Sequence, residues 1–209
     1  MNSTRRILLA GIIFAAYATR LLVGSTAGQE TKTSTPSVTY SQVIDRAFQF
    51  SLGMPSEFRG IAYRIVVRYL PSSGAPESQV VLLKGSDGKV HLSEYTLQPG
   101  ARTIAVEYNE AMRRNPSSAI DDILRGVAIR KRELVARDSD AQLLRDFSRL
   151  SIPVEFDTGV CTDGTIYELW VQAPSNSIHA SFSDCAYGEG TDEVPVIRWI
   201  RAVHLVFER

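Results

Sequence analysis

Residues 58–70 read FRGIAYRIVVRYL, and this stretch decides the fold class. Ile61, Tyr63, Ile65, Val67 and Tyr69 recur at every second position. A strand sends alternate side chains to opposite faces, so these five share one face and Arg64 and Arg68 share the other. Pro71-Ser72-Ser73-Gly74 ends the run with turn-forming residues.

Two further strands follow, Gln79–Lys84 and Val90–Leu97. The intervening Asp87-Gly88 fits a two-residue type I′ turn, whose central positions both need positive φ. That turn predicts Leu83 opposite Leu92, Val80 opposite Tyr95 and Lys84 opposite His91. The first half is therefore expected to be a three-stranded antiparallel unit.

Around these strands the pattern turns helical. Val43, Ile44, Ala47 and Phe48 give a short amphipathic helix over 40–50. Ile104, Tyr108, Ala111 and Met112 fit a helix, although Ile104, Val106 and Tyr108 also alternate as a strand would. Asn115-Pro116 reads as a helix start, an N-cap followed by proline at the first helical position. Val127–Val135 favours strand. Ser139 to Gln142 has the form of a capping box. It opens a helix carrying Leu143, Leu144, Phe147 and Leu150 on one stripe. Thr165–Gln172 and Ile178–Asp184 form a second hairpin, and 195–207 an amphipathic terminal helix with Val196, Trp199, Ile200, Val203, Val206 and Phe207 on one face. The expectation is an α+β domain: a mostly antiparallel sheet, made of the N-terminal three-stranded unit and the C-terminal hairpin, with several helices.

The chain organises into three parts. Arg5 and Arg6, the apolar run Ile7 to Ala18, and Ser25-Thr26-Ala27 make residues 1–27 a cleavable signal peptide. The run is too short to span a bilayer, and Arg20 interrupts its extension through Leu21–Val23. Residues 28–39 (GQETKTSTPSVT) are a flexible leader, and 40–209 form one α+β domain. The expected location is outside the reducing cytoplasm, periplasmic or extracellular, with no stable membrane insertion after processing. The paired arginines suit general secretory export or a twin-arginine route.

Removing the signal takes three of the 23 basic residues and no acidic one, leaving 20 against 23. A mildly acidic chain lacks the basic footprint of nucleic-acid binding. The stretch Arg130-Lys131-Arg132, with Glu133 beside it and no interleaved aromatic, reads as a solvated face. The two cysteines, Cys161 and Cys185, both fall in the exported part, so one disulfide is expected between them. Closing that loop stabilises by about 3 kcal/mol on a chain-entropy estimate.

The chemistry is sparse. No zinc-protease, dithiol, phosphate-loop, dinucleotide or nucleophile-elbow motif occurs. His91 and His204 read as solvated and boundary residues, and the acidic stretch Asp184–Glu193 as a charged loop entering a helix. No metal or other cofactor is expected. Ser181, His179 and Asp184 lie close in sequence, but Asp184 falls on the opposite strand face from the other two. In the last hairpin, pairing of apolar faces sets Val171 opposite Ile178, Leu169 opposite Ala180 and Tyr167 opposite Phe182. Trp170 then lies opposite His179, with Glu168 beside it on a mostly polar face. An exposed tryptophan ringed by polar groups would be a recognition surface; covered by a helix, it would be core. The sequence thus favours an exported, non-enzymatic binding or interaction protein, its partner a protein or a small ligand. The alternative is a secreted hydrolase whose catalytic residues are scattered along the chain.

Overall fold

The computed structural model describes residues 36–52, 61–72, 74–151, 164–183 and 195–208. The elements run α1 (Tyr40–Ala47), β1 (Ile61–Pro71), β2 (Ser78–Gly85), β3 (Val90–Leu97), α2 (Ile104–Arg114), α3 (Ile120–Leu124), β4 (Ile129–Val135), α4 (Asp138–Phe147), β5 (Thr165–Gln172), β6 (Ser177–Ser183) and α5 (Pro195–Leu205), closed by a 3-10 turn at Val206–Glu208. The strands form one antiparallel sheet in the order β4-β3-β2-β1-β5-β6. The expected α+β architecture is present, and β1 joins its two halves by pairing with β2 on one side and β5 on the other. Among the described residues no helix is long and apolar enough to cross a membrane.

Both sheet faces are covered, and this positions the site. On the first face Ile65, Val67 and Tyr69 of β1 join Val80, Leu82, Leu92, Tyr167, Leu169 and Phe182 beneath α4 and α5. The predicted stripe of α4 (Leu143, Leu144, Phe147) packs into this cluster together with Leu150 beyond its end. Tyr69 donates its hydroxyl to the Ile200 carbonyl at 2.7 Å, and Trp199 its indole N–H to the Leu143 carbonyl at 2.8 Å. On the second face α1, α2 and α3 cover Tyr95 and Leu97 with Val43, Ile44, Phe48, Ile104 and Ile123. Glu77, just before β2, ties two of these helices down. Its carboxylate accepts from the Ile104 and Ala105 backbone N–H groups at 3.1 and 2.8 Å and from the Tyr40 hydroxyl at 2.9 Å. A carboxylate at a helix N-terminus meets otherwise unsatisfied donors and the positive end of the dipole.

Three local expectations are corrected. The β2–β3 register is offset by one residue: Leu82 lies opposite Leu92, Leu83 opposite His91, Gln79 opposite Tyr95 and Lys84 opposite Val90. Gly88 has φ 79° whereas Asp87 is not left-handed, so a type I′ turn cannot form. Instead the chain closes through Gly85 N–H to the Lys89 carbonyl and Gly88 N–H to the Gly85 carbonyl, a longer loop. Because strand side chains alternate, that single step exchanges faces. Asn115-Pro116 does not start a helix. Asn115 is the C-cap of α2, its side chain accepts from Ser117 N–H at 3.0 Å, and α3 begins at Ile120. The capping box at Ser139 also fails. The helix starts at Asp138, and the Asp140 carboxylate reaches back to the Arg137 N–H at 2.8 Å.

Candidate functional site

The second face carries unusual cargo for a covered sheet. β1 sends Arg64, Val66 and Arg68 to it, and both arginines are buried, at 5% and 1% exposure. Arg68 is held from all sides. Its guanidinium bonds to Asp45 of α1 at 2.7 Å, to Glu168 of β5 at 3.1 Å and to the Gln79 amide oxygen at 3.2 Å. The Phe50 and Trp170 rings lie 5.1 and 4.7 Å from it. A buried charge is tolerated only when paired and hydrogen-bonded in this way.

The hairpin register expected around Trp170 is present: Trp170 is opposite His179, Leu169 opposite Ala180 and Tyr167 opposite Phe182. The imidazole stacks on the indole at 4.6 Å with 6° between planes. The exposure that would make Trp170 a recognition surface is not found. Its residual exposure is 6%, whereas His179 is exposed and Glu168 half-buried. The cover is not the terminal helix, which packs on the first face, but Phe50, whose ring lies 4.6 Å from the indole.

Phe50 reaches that position through the end of α1. Phe48 is the C-cap, Gln49 has φ 53°, and the Gln49 and Phe50 N–H groups bond back to the Arg46 and Asp45 carbonyls at 3.3 and 2.7 Å. This paired closure usually places glycine where Gln49 stands, since a side chain in left-handed backbone is strained.

Beside this segment the second face opens into a cleft of 630 Å³. Its floor takes Arg64 and Val66 from β1, Gln79, Val81 and Leu83 from β2, His91, Ser93 and Tyr95 from β3, and Lys131 and Glu133 from β4. Phe48, Gln49 and Phe50 form a wall, and Lys89, Arg137 and Asp138 stand at the outer end. The register orders the floor in rows. Arg64, Leu83 and His91 are cross-strand neighbours, as are Val66, Val81, Ser93 and Glu133. The centre is thus apolar and the ends are polar. Arg64 donates through Nε to the Gln172 amide oxygen at 2.6 Å and through Nη2 to the Ser51 carbonyl, and the Phe50 ring lies 5.7 Å away. Burial pulls its pKa below the ordinary guanidinium value, against a smaller opposing influence of Tyr95.

At the other end Lys131 bonds Glu133 at 2.7 Å. That bond holds Glu133 below the usual carboxylate range and Lys131 above the usual amine range. His91, Ser93 and Glu133 thus share one cleft, but the carboxylate is committed to the lysine. Among the described residues Ser93 and His91 share no hydrogen bond. A nucleophile needs a base within hydrogen-bond reach and an acid orienting that base. The arrangement here instead offers a serine hydroxyl and an imidazole to whatever enters.

Sequence reasoning singled out His91 and Lys131 as solvated residues. Both are exposed, and His91 lies opposite Leu83, not Lys84. It passed over Arg64, Val66, Val81, Ser93 and the Phe48–Phe50 wall. One signal was available: Arg64-x-Val66-x-Arg68 interleaves charge with an apolar residue on one face. Cys161, Cys185 and the Asp184–Glu193 stretch lie outside the described residues, and no group of three or more metal-ligating side chains occurs among the described ones. No protein-family model, curated protein or solved structure matches the chain.

Proposed function

We propose that this is an exported binding protein that holds a small amphipathic ligand in the cleft over β1–β4. The observation that supports this reading is the composition of the cleft. An apolar centre (Val66, Val81, Leu83) is edged by a serine, a histidine and an arginine and walled by Phe48 and Phe50. Its 630 Å³ falls inside the roughly 300–1,000 Å³ typical of small-molecule sites, which combine an apolar lining with few polar groups. Export rests on the N-terminal pattern and on two cysteines suited to an oxidising compartment. A Cys161–Cys185 bond would tether the turn before β5 to the end of β6.

The test uses native mass spectrometry of the purified chain mixed with small molecules extracted from its own exported compartment. A reproducible adduct is expected, absent from a Val81→Trp variant that fills the cleft floor. Adducts equal in both proteins would end the reading. Mass and thiol analysis of the exported chain should show loss of residues 1–27 and no reactive thiol after unfolding.

The second reading, a secreted hydrolase, draws support from His91, Ser93 and Glu133 lining one cleft. It ranks lower because Lys131 holds the carboxylate. Ester hydrolysis abolished by Ser93→Ala would reverse that order.

A further inference from the structure

We infer that the ligand of this cleft is an anion on a flat apolar body, with its negative group set against Arg64. The inference rests on the reading of the cleft as a binding site and adds the ligand's chemistry. The argument begins with where the charges stand. In the strand order β4-β3-β2-β1, the two acidic lining groups lie at one end, Glu133 on β4 and Asp138 just beyond it at the start of α4. Arg64 lies at the other end, three strands from Glu133. With strands about 4.8 Å apart, that is roughly 14 Å across the floor. The Glu133 charge is further offset by Lys131. An anion placed at the β1 end therefore meets a guanidinium and stays clear of both carboxylates. A cation placed there meets Arg64 alone.

The contrast with Arg68 points the same way. Arg68 has Gln79 and Glu168 as its cross-strand neighbours, and Arg64 has Leu83 and Gln172. The residues flanking Arg64 across the sheet are neutral, so its field reaches into the cleft at an apolar floor. Buried in low dielectric, a guanidinium makes charge-assisted bonds to an oxyanion that are stronger than neutral ones. The body of the ligand follows from the row beside it. Val66, Val81 and Leu83 present a flat pleated surface two strands wide, facing the Phe48–Phe50 wall. His91 lies two strand spacings from Arg64, about 10 Å, at the far edge of Leu83. A planar ring system fits between them.

A matched pair of fluorescent probes tests this. One is 8-anilinonaphthalene-1-sulfonate; the other is N-phenyl-1-naphthylamine, the same ring skeleton without the sulfonate. The sulfonate is expected to bind at least ten-fold more tightly, and Val81→Trp should abolish binding of both. Arg64→Met should cut the sulfonate's advantage to about two-fold or less while leaving the neutral probe unchanged. Ser93→Asp, which keeps Arg64 and adds a negative charge to the floor, should weaken only the sulfonate, by five-fold or more. It also serves if Arg64→Met does not fold. Equal affinity for the two probes, abolished by Val81→Trp, overturns the anion and leaves the binding cleft standing. No binding of either probe, or binding that survives Val81→Trp, overturns the cleft itself.

Discussion

The two faces of β1 handle burial in opposite ways. One presents Ile65, Val67 and Tyr69 to helices α4 and α5, and its single polar group is a neutral hydroxyl bonded to a backbone carbonyl. The other presents Arg64, Val66 and Arg68, two buried charges four residues apart. A core needs no guanidinium, and hydrophobic replacement of a buried ion pair is often neutral or stabilising. Charge on the second face therefore calls for a reason other than stability. Within that face the two arginines diverge again: Arg68 is bound by two carboxylates under α1, whereas Arg64 lines a cleft. One organises the fold and the other faces the site.

The largest effects should come from breaking the Arg68 cluster. Arg68→Met leaves Asp45 and Glu168 without their cation, and removing one partner of a buried pair costs about 3–5 kcal/mol. Denaturant titration measures this, and a loss under about 1 kcal/mol would mean the cluster is not a structural anchor. Trp170→Ala should cost a comparable amount, about 3–5 kcal/mol, by opening a void between Arg68, Phe50 and His179. A Trp170→Ala protein of normal stability would restore the recognition-surface reading that its burial argues against.

Arg64→Met should be milder, about 1–3 kcal/mol. It removes the bonds to Gln172 and Ser51 but strips no carboxylate of a salt bridge like those of Arg68. The comparison predicts the ranking more firmly than either value. If Arg64→Met proves the more damaging, Arg64 is the structural arginine and the division of labour fails.

Much of the frame was legible from the sequence because several strands alternate cleanly. Residues 61–69 and the β5–β6 pair gave faces and register without ambiguity, since one slip would bury polar residues throughout. The β2–β3 register was not legible. Ser86-Asp87-Gly88 fits two loops of different length, and only the φ of Asp87 separates them. The burial of Trp170 was hidden for another reason. Its cover is Phe50, 120 residues earlier, delivered by a helix ending that carries glutamine where glycine would have been the signal. The cleft drew its residues from four strands and the tail of α1, with no two in a recognisable motif. Sequence spacing reports neighbours along a strand, and this site is built across strands.

The all-neutral first face gives a smaller, pH-dependent test. Burial is the main cause raising the Tyr69 hydroxyl well above its ordinary value, with Tyr167 and Glu94 adding to the effect. An acid whose pKa is raised on folding stabilises the native state fully below its unfolded value, near 10 for tyrosine. As pH rises past that value the unfolded chain loses the proton first, and stability falls until the folded pKa is reached. Tyr69→Phe should lose about 1 kcal/mol at neutral pH with the Ile200 hydrogen bond. Its stability should then decline less steeply than the parent's between pH 10 and 12. Parallel declines, followed by circular dichroism across that range, would show that Tyr69 does not set the alkaline limit.

The smallest effect concerns the residue that sets Phe50 beneath both arginines. Gln49 holds φ 53°, a conformation that costs an L-residue about 1–2 kcal/mol relative to right-handed helix and costs glycine little. Gln49→Gly relieves that strain but gives the unfolded chain more freedom, worth about 0.4–1 kcal/mol in the other direction. The net expectation is a gain of about 0.5 kcal/mol, read as a small rise in the denaturation midpoint. The Asp45 and Arg46 carbonyls keep their partners, because both bonds come from backbone N–H groups. Phe50 should therefore stay between Arg64 and Arg68, and probe binding should not change. Lost binding with unchanged stability would mean that the Gln49 side chain, which faces the cleft wall, contacts the ligand directly. Lost stability would mean that the side chain is held by contacts stronger than the strain it carries.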